Sequence, residues 1–480
     1  MDVMKMFPIF DQSFGLMMIA AYALFVFGLT TLFASGYDKT KEAYLVANRN
    51  VGYLQGSMSV GASWIWAPGL FVAAQQAYNN GVAGLFWFSF GNFLALIVFS
   101  FAIYRLRNKV SDGFTLSQWF RQRYGPVAQG LIVLTTVLYA LQGLTINLFA
   151  GSKSVTLLTG LSPLLVSVLL VGIAALYSWR GGLKAGIVTD VTKVIAIWVG
   201  VGLTAVIIFS KIGFEPALAG IGGKTGEGVT LFGSPFAWGL FFGFGLPTVA
   251  GHFASPWNDN SNYQNAYSMK KEVVRKAFIT APFYWLILPI VGGLIGLSAA
   301  GLKYAVDGPN SSFINLIVMA NEVGWWLPMI YLAVVFAGLV SIIDTQLLSS
   351  ANIAGNDLAD AAKSEDSISW SKVGMIVLAV LGVALANIPG LDLNTIFVFG
   401  KTLALTLFVP IVLALMFDDF LNKQGFIAGG AVGFLVGAPV FAYGQLLGGG
   451  PQIMALGIAI QIIGSGVVGY LVSRATKASV

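Results

Sequence analysis

Apolar stretches of about twenty residues recur along the whole chain, divided by short polar turns. Thirteen of them read as spans: 12–35, 52–79, 82–106, 126–158, 161–179, 186–211, 232–255, 277–300, 322–357, 370–388, 393–417, 425–444 and 452–473. A helix of such length crosses the roughly 30 Å hydrocarbon layer of a bilayer. Lipid offers no partner to an unpaired backbone group, so each span is expected to be a helix. None has the in–out alternation of a membrane barrel strand. The pattern predicts an all-α polytopic membrane protein.

Two spans are interrupted. One reads SMSVGASWIWAPGLFVAAQQAY, with Gly61 and Pro68 inside it; the other reads FAWGLFFGFGLPTVAGHFASPW, with four glycines and Pro247. Glycine and proline weaken a helix. Broken segments at matching positions of two halves point to the binding site of a secondary transporter. Comparable sets of helices follow each: spans two to six and spans seven to eleven.

Composition narrows the class. The chain is 57% hydrophobic and 10% charged, with mean hydropathy +0.82, which no soluble domain of this size matches. The absence of cysteine excludes disulfide and thiol chemistry, and a single histidine excludes a His-rich metal site. No GxxxxGK[ST] motif is present, so a pump driven by nucleotide hydrolysis is not expected, nor is an enzyme of any other kind. The first apolar run reads as a retained span rather than a cleaved signal, and the short SRATKASV tail argues against an attached signalling domain.

The net charge of +6 makes sense through its placement, which points to a lipid partner and not to nucleic acid. With the N-terminus outside, the outer side holds Lys5, Lys211, Lys224 and Lys303, and the spans hold Lys153, Lys193 and Lys401. The other 19 of the 26 basic residues fall in inner loops. That asymmetry predicts an N-terminus outside and a C-terminus in the cytoplasm, in the cell (inner) membrane.

One span carries charge where charge is costly. In SWRGGLKAGIVTDVTKVIAIWVGVGL, Asp190 and Lys193 lie three residues apart and share a helix face. At 1.5 Å per residue they sit about 6 and 11 Å inside the helix end, so lysine snorkelling to the headgroups is one use of the pair and transport chemistry another.

Four stretches bear a resemblance to a known family. GASWIWAPGLFVAAQQAYNNGVAGLFWF, GGLKAGIVTDVTKV, NDNSNYQNAYS and FAGLVSIIDTQLLSSANIAGNDL resemble, in order, the first core helix, the fifth, the turn after the sixth and the eighth of the sodium/solute symporter family. Within it, SWIWA, AYNNGVAGLFWF and RQRYG look most like the urea transporter branch. The resemblance implies a leucine-transporter-like five-plus-five inverted repeat and alternating access around a midplane site. It divides the chain into an N-terminal extra helix and first inner loop (1–51), a first repeat (52–211), a second repeat (212–417) and two extra C-terminal helices with a short tail (418–480).

The family's sodium site maps by this resemblance to backbone oxygens of Ala62, Ile65 and Gly338 and to two hydroxyl side chains, at Ser341 and Ile342. Isoleucine has no oxygen to offer. Sodium, as a hard cation, wants an oxygen cage, so Ile342 puts Na+ binding in doubt. Lys193 and Asp344 are further departures, and Asp344 shares the face of Ser341. The expectation is that the Lys193 ammonium stands in for the ion, paired with Asp344 or Asp190. Transport would then be coupled to protons or run as uncoupled exchange, and the coupling ion expected is H+ or Na+ through a modified cation site.

No cofactor is expected. Where sugar-carrying relatives place polar side chains, this chain has Gly69, Trp87 and Phe88, which argues against a sugar. Trp64, Trp66, Gln75 and Trp87 are the expected lining of a pocket for a small, flat solute, with Lys401 a further candidate on the pathway. His252 reads as structural, at the end of its span. The function expected is secondary active transport of a small polar solute, urea among the candidates. A sodium-coupled symporter for a solute such as proline, and a channel-like uncoupled facilitator, are the alternatives. Nothing in the residues indicates an oligomeric state.

Overall fold

The computed structural model describes Met4 and residues 7–33 and 39–477, apart from the side chains of Ala67 and Arg180. Lys5, assigned above to the outer side, lies outside the described residues. So do residues 34–35 of the first expected span and the last three residues of the tail.

Among the described residues the chain is helical, with one isolated bridge between Val51 and Met269. Among the described residues, nine helices are long and apolar enough to cross a membrane. A tenth is added if Leu393–Leu405 and Phe408–Met416, bent by 41°, count as one. The protein is an integral membrane protein. Thirteen spans were expected, and the difference falls on four segments. Span 393–417 is the bent pair. Span 161–179 is a short helix, Pro163–Trp179. Span 232–255 is divided by a π turn at Phe241–Gly245 between Pro235–Leu240 and Leu246–Asn258. Span 52–79 breaks at Ile65, whose φ −88° and ψ 82° end the Tyr53–Trp64 helix. A short turn at Ala67–Leu70 and the Val72–Lys109 helix follow.

Two of the longest helices are each two rods meeting at a glycine. Val72–Lys109 reverses at Gly81 and Pro163–Ile212 at Gly182, both with positive φ (+59° and +51°). Only glycine enters such a conformation without strain. Both are also contact points: a Cβ at Gly81 would sit 2.5 Å from the Ile221 carbonyl oxygen, and one at Gly182 2.4 Å from that of Tyr44.

Burial ranks the helices. The most apolar window of the Trp326–Ala361 segment is 78% buried, against 17% for Gln12–Phe33, so the first is central and the second peripheral. The central helix packs against Pro163–Ile212, Pro126–Thr159 and Ser367–Ala386. The broken Tyr53–Trp64 helix lies beside Pro163–Ile212 and Val274–Trp285. Its Gly61 admits Tyr284, since a Cβ there would fall 2.7 Å from that ring.

Candidate transport site

The Pro163–Ile212 helix carries Asp190 and Lys193 on the face turned to the central helix. Lys193 Nζ donates to Asp344 Oδ2 at 2.8 Å and lies 3.9 Å from Asp190 Oδ1. All three side chains are at most 3% exposed. The lysine therefore does not snorkel: its ammonium ends inside the protein. Tyr177, on the rod before the Gly182 break, donates its hydroxyl to the same Asp344 oxygen and accepts from Lys193 at 3.2 Å. A buried charge is costly unless paired and hydrogen-bonded, and this one has both kinds of partner.

Asp190 joins three helices. Its Oδ2 accepts from Ser59 Oγ at 2.6 Å, on the broken helix, and its Oδ1 from Ser341 Oγ at 2.7 Å, on the central helix. Ser63 and Thr345 hydroxyls lie 3.4 Å apart across the same seam. Lys193 thus grips the central helix directly, while the tie to the broken helix runs through Asp190 and Ser59.

Some of the oxygens mapped to a sodium site already have partners. The Ala62 carbonyl accepts from the Ile65 N–H at 3.0 Å, and the Ser341 hydroxyl donates to Asp190, which leaves its lone pairs as the one side-chain oxygen of the mapped set. Ile342 is fully buried hydrocarbon. Gly338 sits close to Ile65, whose Cγ2 would be 3.6 Å from a Cβ at 338. The five positions are gathered at the junction of the broken and central helices, but their donor set is poor for a hard cation.

A second cluster surrounds a small void at the break of the Tyr53–Trp64 helix. It is lined by Trp64, Trp66, Gly69, Asn92, His252, Trp285, Phe397 and Lys401, among others. The Trp64 indole donates to the Asn92 carbonyl at 3.0 Å, and the Trp64 and Trp66 rings meet edge to face at 6.2 Å. Lys401 Nζ lies 4.9 Å from the Trp66 ring and 4.8 Å from that of Phe397. Such cation–π contacts are worth about 2 kcal/mol when desolvated. Its one hydrogen bond is a long one to Ser255 Oγ, at 3.5 Å. Gly251 permits the approach, because a Cβ there would fall 2.2 Å from Lys401 Cβ.

Of the five expected substrate residues, Trp64, Trp66 and Lys401 line this void, and Gln75 and Trp87 do not. Gln75 hydrogen-bonds Ser311 at 3.1 Å. Trp87 packs among Phe86, Phe232 and Phe241. Phase is the reason: the break at Ile65 resets the helical face before Gln75, and the second break at Gly81 resets it again before Trp87. His252 is not at a helix end. Its helix runs to Asn258, and its ring faces the void between Phe88 and Phe397. Tyr177, Asn92, Trp285 and Phe397 were not anticipated. Lys153 is exposed, as expected for a snorkelling side chain.

A third feature lies on the other side of Asp190. A second small void is lined by Ser59, Ser63, Asp190, Gln264, Asn265 and Thr345, among others. The NDNSNYQNAYS stretch supplies part of it. It forms a nine-residue helix, Asn260–Ser268, with every residue buried. The buried side-chain oxygens Ser261 Oγ, Ser349 Oγ and Gln346 Oε1 lack a hydrogen-bond partner. Buried polar groups of this kind are commonly satisfied by water.

This architecture is shared with solved transporters of the leucine-transporter type. A Na+-coupled sialic acid symporter superposes with a TM-score of 0.78 over 96% of this chain and 97% of its own, at 15% identity. Mhp1, a nucleobase-cation-symport-1 family transporter, gives 0.57 over 90% and 95%, at 16% identity. The likeness to one transporter family is borne out as well: the profile described as "Sodium:solute symporter family" matches residues 44–222.

Among curated proteins, the "Probable urea active transporter 1" of Schizosaccharomyces pombe is 26% identical over 278 residues, 55% of this chain and 42% of that one. The "Urea-proton symporter DUR3" of Oryza sativa subsp. japonica is 21% identical over 478 residues, 90% of this chain and 66% of that one. The "Sodium/proline symporter" of Staphylococcus aureus is 23% identical over 500 residues, 96% of this chain and 92% of that one. The match thus spans 42% and 66% of the two urea transporters' own lengths.

Proposed function

We propose that the protein is a secondary active transporter that moves a small, flat polar solute by alternating access, with the Lys193 ammonium in the role a sodium ion plays in related carriers. One observation carries this reading: Lys193 Nζ sits 2.8 Å from Asp344 and 3.9 Å from Asp190, buried, between helices that also hold the mapped cation positions. A fixed amine needs no ion to bridge these helices. Two carboxylates face one ammonium, which leaves a buried negative charge that a proton can neutralise. Coupling to H+ follows, with Asp190 passing the proton to the polar void on its far side.

The thirteen-span reading goes with this proposal. The four segments that fall short are broken, bent or short, as the site-forming helices of such carriers are. The repeats are 52–211 and 212–417, each opening on an interrupted helix. The abundance of inner-loop lysine and arginine supports an N-terminus outside and a cytoplasmic C-terminus. An enzymatic role has no support in either cluster.

Uptake into proteoliposomes tests the reading. Urea and proline are offered with sodium and pH gradients imposed separately. The expected result is concentrative uptake driven by the pH gradient, indifferent to sodium and abolished by a protonophore. Flow that never exceeds equilibrium would make the protein a facilitator instead. Sodium-driven uptake that Lys193→Ala leaves intact would overturn the amine's role.

A second reading has one observation behind it. The sodium/proline symporter of S. aureus aligns over 92% of its own length, where the S. pombe urea transporter aligns over 42%. A sodium-coupled carrier for a solute such as proline is therefore the alternative that the same assay separates.

A further inference from the structure

We propose that the aromatic void binds the carboxylate of a small, flat organic anion, with Lys401 as its counter-ion. This rests on the carrier reading above and names the substrate class for it.

The two lysines buried among the helices are in opposite situations. Lys193 has two carboxylates and a tyrosine hydroxyl. Lys401, 2% exposed, has no acidic partner among the described residues. An ammonium carries three donors, and here one is used, on Ser255 at the limit of hydrogen-bond distance. Two ring faces lie near it, but a ring is not a counter-charge. The arrangement is half of an ion pair.

The other groups around Lys401 fit the missing half. His252, 2% exposed, has its Nδ1 buried and without a partner. Asn92, 7% exposed, belongs to the same lining. Trp66, Trp285 and Phe397 supply flat walls. A planar anion fits between such walls and presents its carboxylate to the ammonium, where charge-assisted hydrogen bonds are strongest. A bound carboxylate would supply the counter-charge that a buried ammonium here otherwise lacks.

In this conformation the void has room for about one water molecule. The site is closed on its own cation. Lys401 lies one turn before the 41° bend that separates Leu393–Leu405 from Phe408–Met416, and binding of the anion requires that the space beside it widen in another state of the transport cycle. The chemistry at Lys401 is also separate from that at Lys193, so a carboxylate would bind without competing with the coupling cluster.

Matched pairs of ligands test this on the wild-type protein. Acetate and acetamide, and nicotinate and nicotinamide, are compared by thermal shift of the purified protein, with urea as the neutral reference. The same compounds are then tested as uptake substrates in proteoliposomes. A carboxylate should bind at least tenfold more tightly than its amide. Lys401→Gln should bring the pair within twofold, and Lys401→Arg should keep the preference. Equal binding of acid and amide to the wild type overturns the proposal, and needs no variant to fold. If urea is carried and carboxylates neither bind nor compete, this inference fails while the carrier reading stands. If no compound binds or moves, this inference fails, and the carrier reading is decided by the uptake test given for it above.

Discussion

Lys193 and Asp344 meet in a buried contact between two helices, 2.8 Å from ammonium to carboxylate, with Tyr177 bonded to both. Removing one partner of such a pair leaves the other charged and unsatisfied. Lys193→Met should therefore destabilise the protein by roughly 3–5 kcal/mol. The double variant Lys193→Met with Asp344→Leu should recover part of that loss, because apolar groups of similar size pack where the pair was while Asp190 is still left without its cation. Thermal unfolding of the purified variants in detergent checks both. A double variant no more stable than Lys193→Met would show that the pair contributes through something other than its charges.

Restoring an oxygen at position 342 separates two causes of a poor sodium site. Ile342→Ser supplies the hydroxyl that the mapped site lacks, yet the amine remains beside Asp190. The single change should leave uptake and thermal stability independent of sodium. Combined with Lys193→Gln, it should produce stabilisation by sodium over potassium. Sodium dependence in Ile342→Ser alone would mean that the missing hydroxyl, and not the lysine, is what keeps the ion out.

The acid–amine cluster was legible in the sequence because charge inside an apolar run stands out. Asp190, Lys193 and Asp344 each break a hydrophobic pattern, and three residues of helical spacing put the first two on one face. Tyr177 does not stand out, since a tyrosine in a membrane helix is ordinary, and its partner is 167 residues away. The aromatic void was half legible. Trp64 and Trp66 flank a visible break, but the helical phase after the break is set by Pro68, by Gly81 and by packing, so spacing alone does not show that Gln75 and Trp87 lie away from the void. His252, Asn92 and Phe397 come from three separate helices, and only tertiary structure brings them to one place. The membrane spans were visible as apolar runs. The reversals at Gly81 and Gly182 depend on positive φ, which a glycine permits without announcing.

Gly182 sets the angle at which the Asp190 helix meets the rod that carries Tyr177. Its φ of +51° and ψ of −147° belong to a region that only glycine occupies readily, and a side chain would strike the Tyr44 carbonyl at 2.4 Å. The backbone strain alone costs about 1–3 kcal/mol. Gly182→Ala should lower the melting temperature and slow uptake together, since Tyr177 and Lys193 lie on opposite sides of the break. A variant with wild-type stability and rate would show that the reversal is not rigid.

At the end that the charge pattern assigns to the cytoplasm, Asp418 meets Lys109, Arg105 and Arg123. The Lys109 hydrogen bond, and then the charges of all three, hold its carboxyl below the usual aspartate value. A carboxyl with a lowered folded pKa stabilises above its unfolded value of about 3.9, and the benefit is lost as the pH falls through the folded value. Asp418→Asn should differ from wild type by a constant amount between pH 5 and 8, on the order of surface ion pairs and screened by salt. The two melting curves should converge in acid below pH 4. A difference that grows from pH 5 to 8 would contradict the assignment.

Side-chain placement makes the substrate residues separable. Trp66 faces Lys401 across 4.9 Å and lines the void, whereas Trp87, on the rod beyond Gly81, is held 5.4 Å from Phe232 and 5.1 Å from Phe241. Trp66→Leu removes a flat wall and a cation–π partner from the site, and should weaken solute affinity about tenfold, a loss of the size expected for a desolvated contact of this kind. Trp87→Leu removes packing between helices and should lower stability, with affinity within twofold of wild type. Gln75→Leu, which breaks the bond to Ser311, should behave as Trp87→Leu does. Initial rates of uptake over a range of solute concentrations, read beside the melting temperatures, distinguish the two patterns. Affinity that falls with Trp87→Leu but not with Trp66→Leu would move the substrate site off the break at Ile65 and toward the aromatic cluster around Phe232.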